Sequence, residues 1–509
     1  MRGRRAAPSA CAALIFVVGA VAIAACDCAG SGDSSVAQSS AAVGGALPDS
    51  YKYTPPPRVR SYPSSYPTIQ AWINTGNTKA IRAHGWDIWQ SINTATPYQR
   101  PAWQTWYSGH ELFAAAGVVG MVARPRNGMI RFAVPRGQTG PAAGSPDRTG
   151  PIPFDPAERV FAFNRFTLST AVYIWKAGFN DAQTLLDTNN ALTRNNVPLA
   201  NRGILVSRDS TDPASFVLKP VYQFISGTQV TAVPYWAGDR SAFTTDSANP
   251  IPMTWRQAVA VDPTGRLQPG DSVRMPVNKE PARWLRVVPL SAFYWIRITK
   301  EDSAHFTRFG AVNNDFIGAS NDTSADSVYK MVRTGNIGLM MAMHVTGKEI
   351  PNWTWQSFWW AYDPNDPQFG ADRPRTIPAP WNHYDMTVAY SMMMPNGDSL
   401  IAYNPYLETS LFGEIPNGPN PKDSLHWTGV TTNCMSCHRR AAIAYTAIGD
   451  TLIPPPYGND MNIEPGDTVV FTQPDGKVRV PVLKTDFLWS VALRPKFRRA
   501  KATAPTARH

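Results

Sequence analysis

The chain has 509 residues, of which 43% are hydrophobic and 17% charged, so it holds enough apolar material for a large folded core. Its 46 prolines and 17 tryptophans predict a loop-rich body with aromatic side chains in the core. The net charge of +11 comes from basic residues that are dispersed, apart from a cluster between 494 and 501, and we therefore expect no nucleic-acid partner.

Residues 1–25 have the layout of a secretory signal peptide. Three arginines precede an uncharged apolar run that is short for a membrane-spanning helix. The run ends in Ile23-Ala24-Ala25-Cys26, which resembles a bacterial lipobox and implies cleavage before Cys26 and acylation of that cysteine. Several acyl chains would hold the protein firmly at a membrane. The alternative is an ordinary signal peptide that happens to end near a cysteine.

The remaining chain divides into three predicted parts. Residues 26–80 are rich in small residues and proline, lack an apolar period in their first half, and are predicted to be a flexible tether. Residues 81–495 are expected to form one globular region, and 496–509 a basic tail. The predicted location is extracytoplasmic, in the periplasm, with the lipid on Cys26 as the membrane anchor.

Helical patterns come first in the globular region. Residues 84–92 and 101–115 space their tryptophans for a buried helical face, and 157–187 is also predicted to be helical after a Gly/Pro-rich loop over 133–156. From about residue 202 the pattern changes to short apolar runs that predict strands. These runs are 215–225, 229–236, 256–261, 271–277, 284–299 and 331–345.

The C-terminal part has a hairpin signal and one short helix. Pro474-Asp475-Gly476 separates the apolar runs 467–471 and 477–483, and 486–493 is predicted to close the body as a helix. The combined pattern predicts an α+β fold, with a β-rich mixed body and flanking helices.

The five cysteines are too few for a disulfide framework, since Cys11 falls in the signal peptide and Cys26 and Cys28 near its end. The two others form Cys434-Met435-Ser436-Cys437-His438, a C-x-x-C-H pattern. Thiols three residues apart can form thioethers with the two vinyl groups of one porphyrin, and the adjacent His438 can bind its iron. The pattern predicts one covalent haem c in the C-terminal quarter. A helix is expected to follow the motif, over 439–447.

The sequence disfavours three other interpretations of the cysteine pair. A thioredoxin-like redox pair requires a βαβ context, which the pattern here does not show. A zinc site requires a second pair of ligands, and the globular region has no further cysteine. A simple disulfide explains neither His438 nor its position. Export favours haem, because c-type maturation occurs outside the cytoplasm.

The sixth iron ligand is predicted to be His344, with Met461 as the alternative. His344 ends an apolar strand-like run near Trp353 and Trp355, which could wall a haem pocket. Met461 is the only methionine after the motif, in a loop rich in proline and glycine. The structural alternatives are a hydrogen-bonded core histidine and an ordinary loop methionine.

Several segments, in order, resemble a family of uncharacterised bacterial cytochrome c proteins, which are large single-haem chains. The segments are Trp103-Gln104-Thr105-Trp106-Tyr107, Phe216-Val217-Leu218-Lys219-Pro220, 338–348, 351–358 and 402–409, all ahead of Cys434. The family motif ends in Phe-Glu-His where this chain has Phe358-Trp359-Trp360. The resemblance implies the architecture and the cofactor, but no substrate.

The motif and the anchor favour electron transfer or redox sensing by a membrane-anchored c-type cytochrome with an unknown redox partner protein. Two alternatives stay open. One is a haem-dependent oxidoreductase, such as a peroxidase or oxidase, with an open sixth site. The other is a ligand-binding protein in which the haem is structural. No catalytic residue can be named from the sequence.

Overall fold

The structure is a computed structural model that contains both helices and strands in the residues that it describes. The described residues are 52–113, 160–198, 201–206, 211–237, 255–277, 280–304, 333–367, 369–398, 400–407, 433–439, 441–443, 482–493 and 495. The mixture of helices with antiparallel and mixed sheets confirms the predicted α+β class. No helix in these ranges is long and apolar enough to cross a membrane.

Three of the longer helices begin at residues whose side chains cap them. The helices that enter the description below are α1 (Tyr66–Asn74), α2 (Thr78–Ile92), α3 (Gly109–Phe113), α4 (Leu168–Ala177), α5 (Ala182–Arg194), α6 (Cys434–His438) and α7 (Trp489–Leu493). The side chains of Ser65, Asn77 and Asp181 each accept a hydrogen bond from a backbone N–H in the first turn of α1, α2 and α5. Helix α4 ends at Gly178, whose φ of +73° is the left-handed conformation that glycine adopts without strain.

The strands form one large sheet, one smaller sheet and one two-stranded ribbon. The strands are β1 (Tyr107–Ser108), β2 (Val160–Ala162), β3 (Arg165–Phe166), β4 (Asp212–Ile225), β5 (Thr231–Pro234), β6 (Ala258–Val261), β7 (Ser272–Val277), β8 (Glu280–Val288), β9 (Trp295–Arg297), β10 (Ile337–Lys348), β11 (Thr354–Trp360), β12 (Tyr384–Ala389), β13 (Ala442–Ile443) and β14 (Leu483–Lys484). The large sheet has the order β1-β3-β4-β10-β11-β12, with β2 on β4 and β9 on β10. The smaller sheet is β5-β6-β8-β7, and the ribbon is β13-β14.

The large sheet is covered on both faces, so its central strands carry few exposed residues. Helix α2 packs on one face, where Trp89 stacks on Phe358 of β11 with ring centroids 4.0 Å apart. The approach is close at Gly85, because a Cβ there would lie 2.8 Å from the sulfur of Met386. The other face packs against α4, α5 and the segments around α6 and α7.

Most predicted strands and two predicted helices are found. The runs at 215–225, 229–236, 256–261, 271–277 and 331–345 coincide with β4, β5, β6, β7 and β10. The helices predicted at 84–92 and 486–493 coincide with α2 and α7. The hairpin around Pro474, the loop over 133–156, the signal peptide and the basic tail lie outside the described residues.

Four predictions are wrong in part, because pairing or chain breakers override the local pattern. Residues 101–115 begin with a 3-10 turn and β1, and 157–187 begins with β2 and β3, since these segments pair within the large sheet. The run 284–299 is broken at Pro289 into β8, a 3-10 turn and β9. No helix covers the described residues after the motif, where Ala442–Ile443 form β13.

The tether predicted over 26–80 is also too long. Helix α1 lies within that range, is capped by the side chain of Ser65 and buries Ile69 completely. Its few apolar residues do not stand out by composition, since proline, serine and threonine surround them. The folded body therefore includes part of the predicted tether.

Candidate haem-attachment site

The C-x-x-C-H motif forms helix α6, and Asn433 fixes where that helix starts. Asn433 is fully buried, and its Oδ1 accepts the backbone N–H of Met435 at 2.9 Å. Its Nδ2 donates to the carbonyls of Ser391 and Leu400, both at 2.9 Å. One side chain thus caps the helix and ties it to the loop that follows β12.

The first cysteine of the motif lies against the same loop. Cys434 is half-buried, with its Sγ 3.5 Å from the carbonyl oxygen of Ala402, and Ala402 also bridges to Asn433. Cys437 lies one turn later in α6. Residues three apart on a helix share a face, so the two cysteines begin on the same side of α6. That spacing suits two thioether bonds to one porphyrin.

The ring of His438 is oriented by a backbone carbonyl. Its Nδ1 lies 2.7 Å from the carbonyl oxygen of Phe487. A carbonyl only accepts, so Nδ1 carries the proton and the lone pair of a neutral ring resides on Nε2. This is the tautomer that binds iron through Nε2, with the other nitrogen held by an outer partner. The ring of Trp355 packs beside His438, with centroids 4.5 Å apart.

The carbonyl that holds His438 is itself fixed by a buried ion pair. Asp486 and Phe487 both have positive φ, +49° and +66°. The Nζ of Lys348 lies 2.7 and 2.9 Å from the two carboxyl oxygens of Asp486 and 2.7 Å from the carbonyl oxygen of Pro351. The N–H of Val206 donates to the same carboxyl group at 3.0 Å. These contacts hold two unusual backbone conformations in place.

The carboxylate of Asp486 stabilises the positive charge of Lys348. The Lys348 side chain has no exposed surface, and this burial lowers the pKa of Lys348 below its ordinary value, an effect that the Asp486 carboxylate offsets in part. Its Nζ also lies 4.8 Å from the centroid of the Trp353 ring. The ammonium group of Lys348 is therefore removed from water, and the carboxylate of Asp486 compensates for part of the lost hydration.

The strand register places His344 on the same face of the large sheet as Trp355. Trp355 pairs directly with Thr346, and Ser357 with His344, and directly paired residues point to the same side. One row across the sheet is largely apolar, and the next is polar. The first row is Phe166, Val217, Thr346, Trp355 and Ala389; the second is Lys219, His344, Ser357 and Thr387.

The loop beside Cys434 also reaches the polar row. Ala402 in this loop contacts Cys434, and Asn404 follows two residues later. The Nδ2 of Asn404 donates a hydrogen bond to the Oγ of Ser357 at 2.9 Å. Half-buried His344 lies directly opposite Ser357. The structure therefore brings Cys434, His438, Trp355 and the His344 row to one side of the sheet. Met461, Cys26 and Cys28 lie outside the described residues.

The residues present suit a haem c by the chemistry of their donors. Two cysteines one turn apart and a histidine with its lone pair on Nε2 are the set that thioether attachment and axial ligation require. Within the described ranges, no group of three or more His, Cys, Asp or Glu side chains could hold a metal ion by itself. A porphyrin supplies four of the iron ligands, so one protein ligand on each side suffices.

Sequence reasoning found the motif and missed the residues that support it. Asn433, the residue directly before Cys434, has a cap signal that could have been read from the sequence. Lys348, Asp486 and Phe487 carry no local signal, because their roles depend on contacts between segments 138 and 49 residues apart.

Comparison of the chain with protein-family models, with curated proteins and with solved structures gives no match.

Proposed function

We propose that this protein is a membrane-anchored, extracytoplasmic c-type cytochrome that transfers electrons or senses redox state through one haem. The hydrogen bond from His438 Nδ1 to the Phe487 carbonyl carries the proposal, because it sets the ring of the motif histidine in the iron-binding tautomer. A bound haem supplies a one-electron couple at its iron.

The residues of this chain have distinct tasks in the proposed site. Cys434 and Cys437 hold the cofactor covalently, and Asn433 holds the start of their helix. The Phe487 carbonyl orients His438, and Trp355 excludes water from one side of its ring. The hydrogen bond that the Nδ1–H of His438 donates to the carbonyl makes the imidazole a stronger electron donor to iron, which favours the oxidised state.

The proposed sixth ligand is His344, with Met461 as the alternative. The position of His344 supports this assignment. Trp355 packs on His438, and His344 lies in the next row of side chains on the same face of the sheet as Trp355. The two ligands differ in consequence, because a thioether raises the reduction potential relative to a second imidazole.

A haem stain on a denaturing gel tests the cofactor. The full chain, produced in a host with c-type maturation, should give a stained band at its processed mass. Cys434→Ala with Cys437→Ala should remove the stain, and the tether variant Cys28→Ala should keep it. Haem that leaves the wild-type protein in acidified acetone would contradict covalent attachment.

Absorption spectra of the oxidised and reduced protein test the function. Ligation by His344 predicts low-spin iron without the far-red charge-transfer band of methionine ligation, and His344→Ala should convert the iron to high spin. High-spin iron in the wild-type protein that binds cyanide rapidly would remove both ligands. It would also favour the second function, a haem-dependent oxidoreductase with an open coordination site.

A further inference from the structure

A second buried polar cluster lies on the opposite face of the same strands. It comprises Tyr390 after β12, His84 in α2, Glu349 after β10 and Gln356 in β11, and each is at most 2% exposed. Glu349 directly follows Lys348, so consecutive residues serve the two faces of the sheet. The proposed haem site uses none of these four side chains.

Two hydrogen bonds and one charge contact within the cluster favour particular proton positions. The Nε2 of Gln356 donates to the phenolic oxygen of Tyr390 at 2.9 Å, and that oxygen lies 2.6 Å from Nδ1 of His84. The Nε2 of His84 lies 3.3 Å from a carboxyl oxygen of Glu349, an ion-pair distance without hydrogen-bond geometry. The negative charge of that carboxylate favours a proton on Nε2, which leaves the lone pair of a neutral His84 on Nδ1. Tyr390 therefore donates to His84.

The resulting chain of hydroxyl, imidazole and carboxyl groups follows the logic of a catalytic triad. The carboxyl group of Glu349 also accepts the N–H of Ser64 at 2.9 Å, which fixes its position. The rings of Trp72 and Tyr62 lie 5.6 and 6.3 Å from the His84 ring and enclose it. Since the cluster is sealed from solvent, Tyr390 cannot attack a substrate.

A sealed phenol with its own base can instead lose an electron and a proton together. The positive charge of an oxidised phenol makes it a strong acid, and a proton that has no acceptor opposes the oxidation. His84 provides an acceptor at 2.6 Å, and Glu349 stabilises the imidazolium that forms. Of the buried tyrosines, Tyr62 offers the contrast, because its hydroxyl donates to the carbonyl of Pro213, which cannot take up the proton.

We propose that Tyr390 is a redox-active tyrosine with His84 as its proton acceptor. A one-electron oxidant removes an electron from the phenol, the O–H bond breaks, and the proton moves to Nδ1 of His84. The products are a neutral tyrosyl radical, an imidazolium ion paired with Glu349, and the reduced oxidant. Re-reduction returns the proton to the phenolic oxygen.

The tyrosine also lies close to the proposed haem site. Ala389 pairs directly with Trp355, and Tyr390 follows Ala389 on the other face. Trp355 in turn packs on His438. Return of an electron from a reduced haem to oxidised Tyr390 rests on the proposed function, whereas the oxidation of Tyr390 by an oxidant in solution does not.

The test uses an oxidant that does not involve the haem. The full chain is flash-photolysed with tris-bipyridine ruthenium and persulfate, which generates ruthenium(III), and is then freeze-quenched for electron paramagnetic resonance. The expected result is a long-lived tyrosyl radical in the wild-type protein. Tyr390→Phe should lose most of this signal, and the matched control Tyr62→Phe should keep it.

A second variant keeps the proposal testable if Tyr390→Phe does not fold. Replacing Tyr390 by 3-fluorotyrosine keeps the hydroxyl group and should add fluorine hyperfine splitting to the radical spectrum. His84→Asn should shorten the lifetime of the signal, because the proton acceptor is lost. A long-lived signal without fluorine splitting, or no tyrosyl signal in the wild-type protein, would overturn the proposal. A haem stain on the same sample reports separately on the proposed cofactor.

Discussion

Lys348 and Asp486 position His438 indirectly, through the backbone carbonyl of Phe487. Their ion pair fixes the conformation at Asp486 and Phe487, and the carbonyl of Phe487 then orients His438. A buried pair of this kind adds little stability compared with an apolar pair, but the loss of one partner is costly. Its main effect here is positional.

Lys348→Met should destabilise the protein by about 3–5 kcal/mol, because Asp486 is left buried without its cation. Adding Asp486→Asn removes the charge, keeps an acceptor for the N–H of Val206 and suits the positive φ, since Asn tolerates that conformation. The double variant should therefore be more stable than Lys348→Met alone. Denaturant unfolding of all four proteins in a double-mutant cycle measures the coupling, and additive effects would contradict the pairing.

Asp385 in β12 makes stability depend on pH. Burial, then repulsion by Asp366, raises the pKa of Asp385 to about 7, against the attraction of Arg373 at 3.9 Å. The folded state thus keeps a proton that the unfolded chain releases near its ordinary pKa of 3.8. The contribution of protonated Asp385 to the free energy of unfolding is fully present below about pH 4 and is lost as the pH rises through about 7.

Asp385→Asn should flatten this part of the stability profile. The wild-type protein should lose at most about 1.4 kcal/mol per pH unit from this one group between its two pKa values. Thermal unfolding from about pH 4 to pH 7 measures the slope, with Asp398→Asn at an exposed turn as the control. Equal slopes in the wild-type protein and Asp385→Asn would show that Asp385 titrates normally.

At the level of elements, helix α6 is too short to be stable alone and depends on its cap. Asn433→Ala should cost about 1–2 kcal/mol for the cap, and more because the carbonyls of Ser391 and Leu400 lose their donor. The yield of haem-stained protein should fall with the melting temperature. Asn396→Ala at an exposed turn is the control, and an unchanged melting temperature for Asn433→Ala would contradict the role of the cap.

The sequence predicts the elements whose pattern agrees with their environment. Helix α2 and strand β10 are recognised because their apolar residues match their periods. Strands β2 and β3 are missed because two or three residues carry no period, and only their pairing with β4 makes them strands. The motif at Cys434 is visible for a chemical reason, since spacing alone defines it, whereas the support from Asp486 exists only after folding.

At the level of the whole molecule, the proposed anchor can be tested apart from the folded body. Cys26→Ala should release the protein from membranes or leave an unprocessed precursor, because the residue proposed to carry the lipid is lost. Fractionation with a haem stain measures both the location and the folding of the body. Cys28→Ala, two residues away, should stay in the membrane fraction. A processed Cys26→Ala protein that remains in the membrane fraction would contradict the anchor.

Helix α6 contacts one segment that precedes it in the chain and one that follows it. This arrangement sets the order in which the site can assemble during export. Ala402 lies 32 residues before Cys434, and Phe487 lies 49 residues after His438. During export from the N-terminus, the segments that receive the cysteines arrive before the segment that secures the histidine. Under the proposed function, the attachment machinery would therefore meet an accessible motif, and residues 482–493 would dock and orient His438 after the haem is joined.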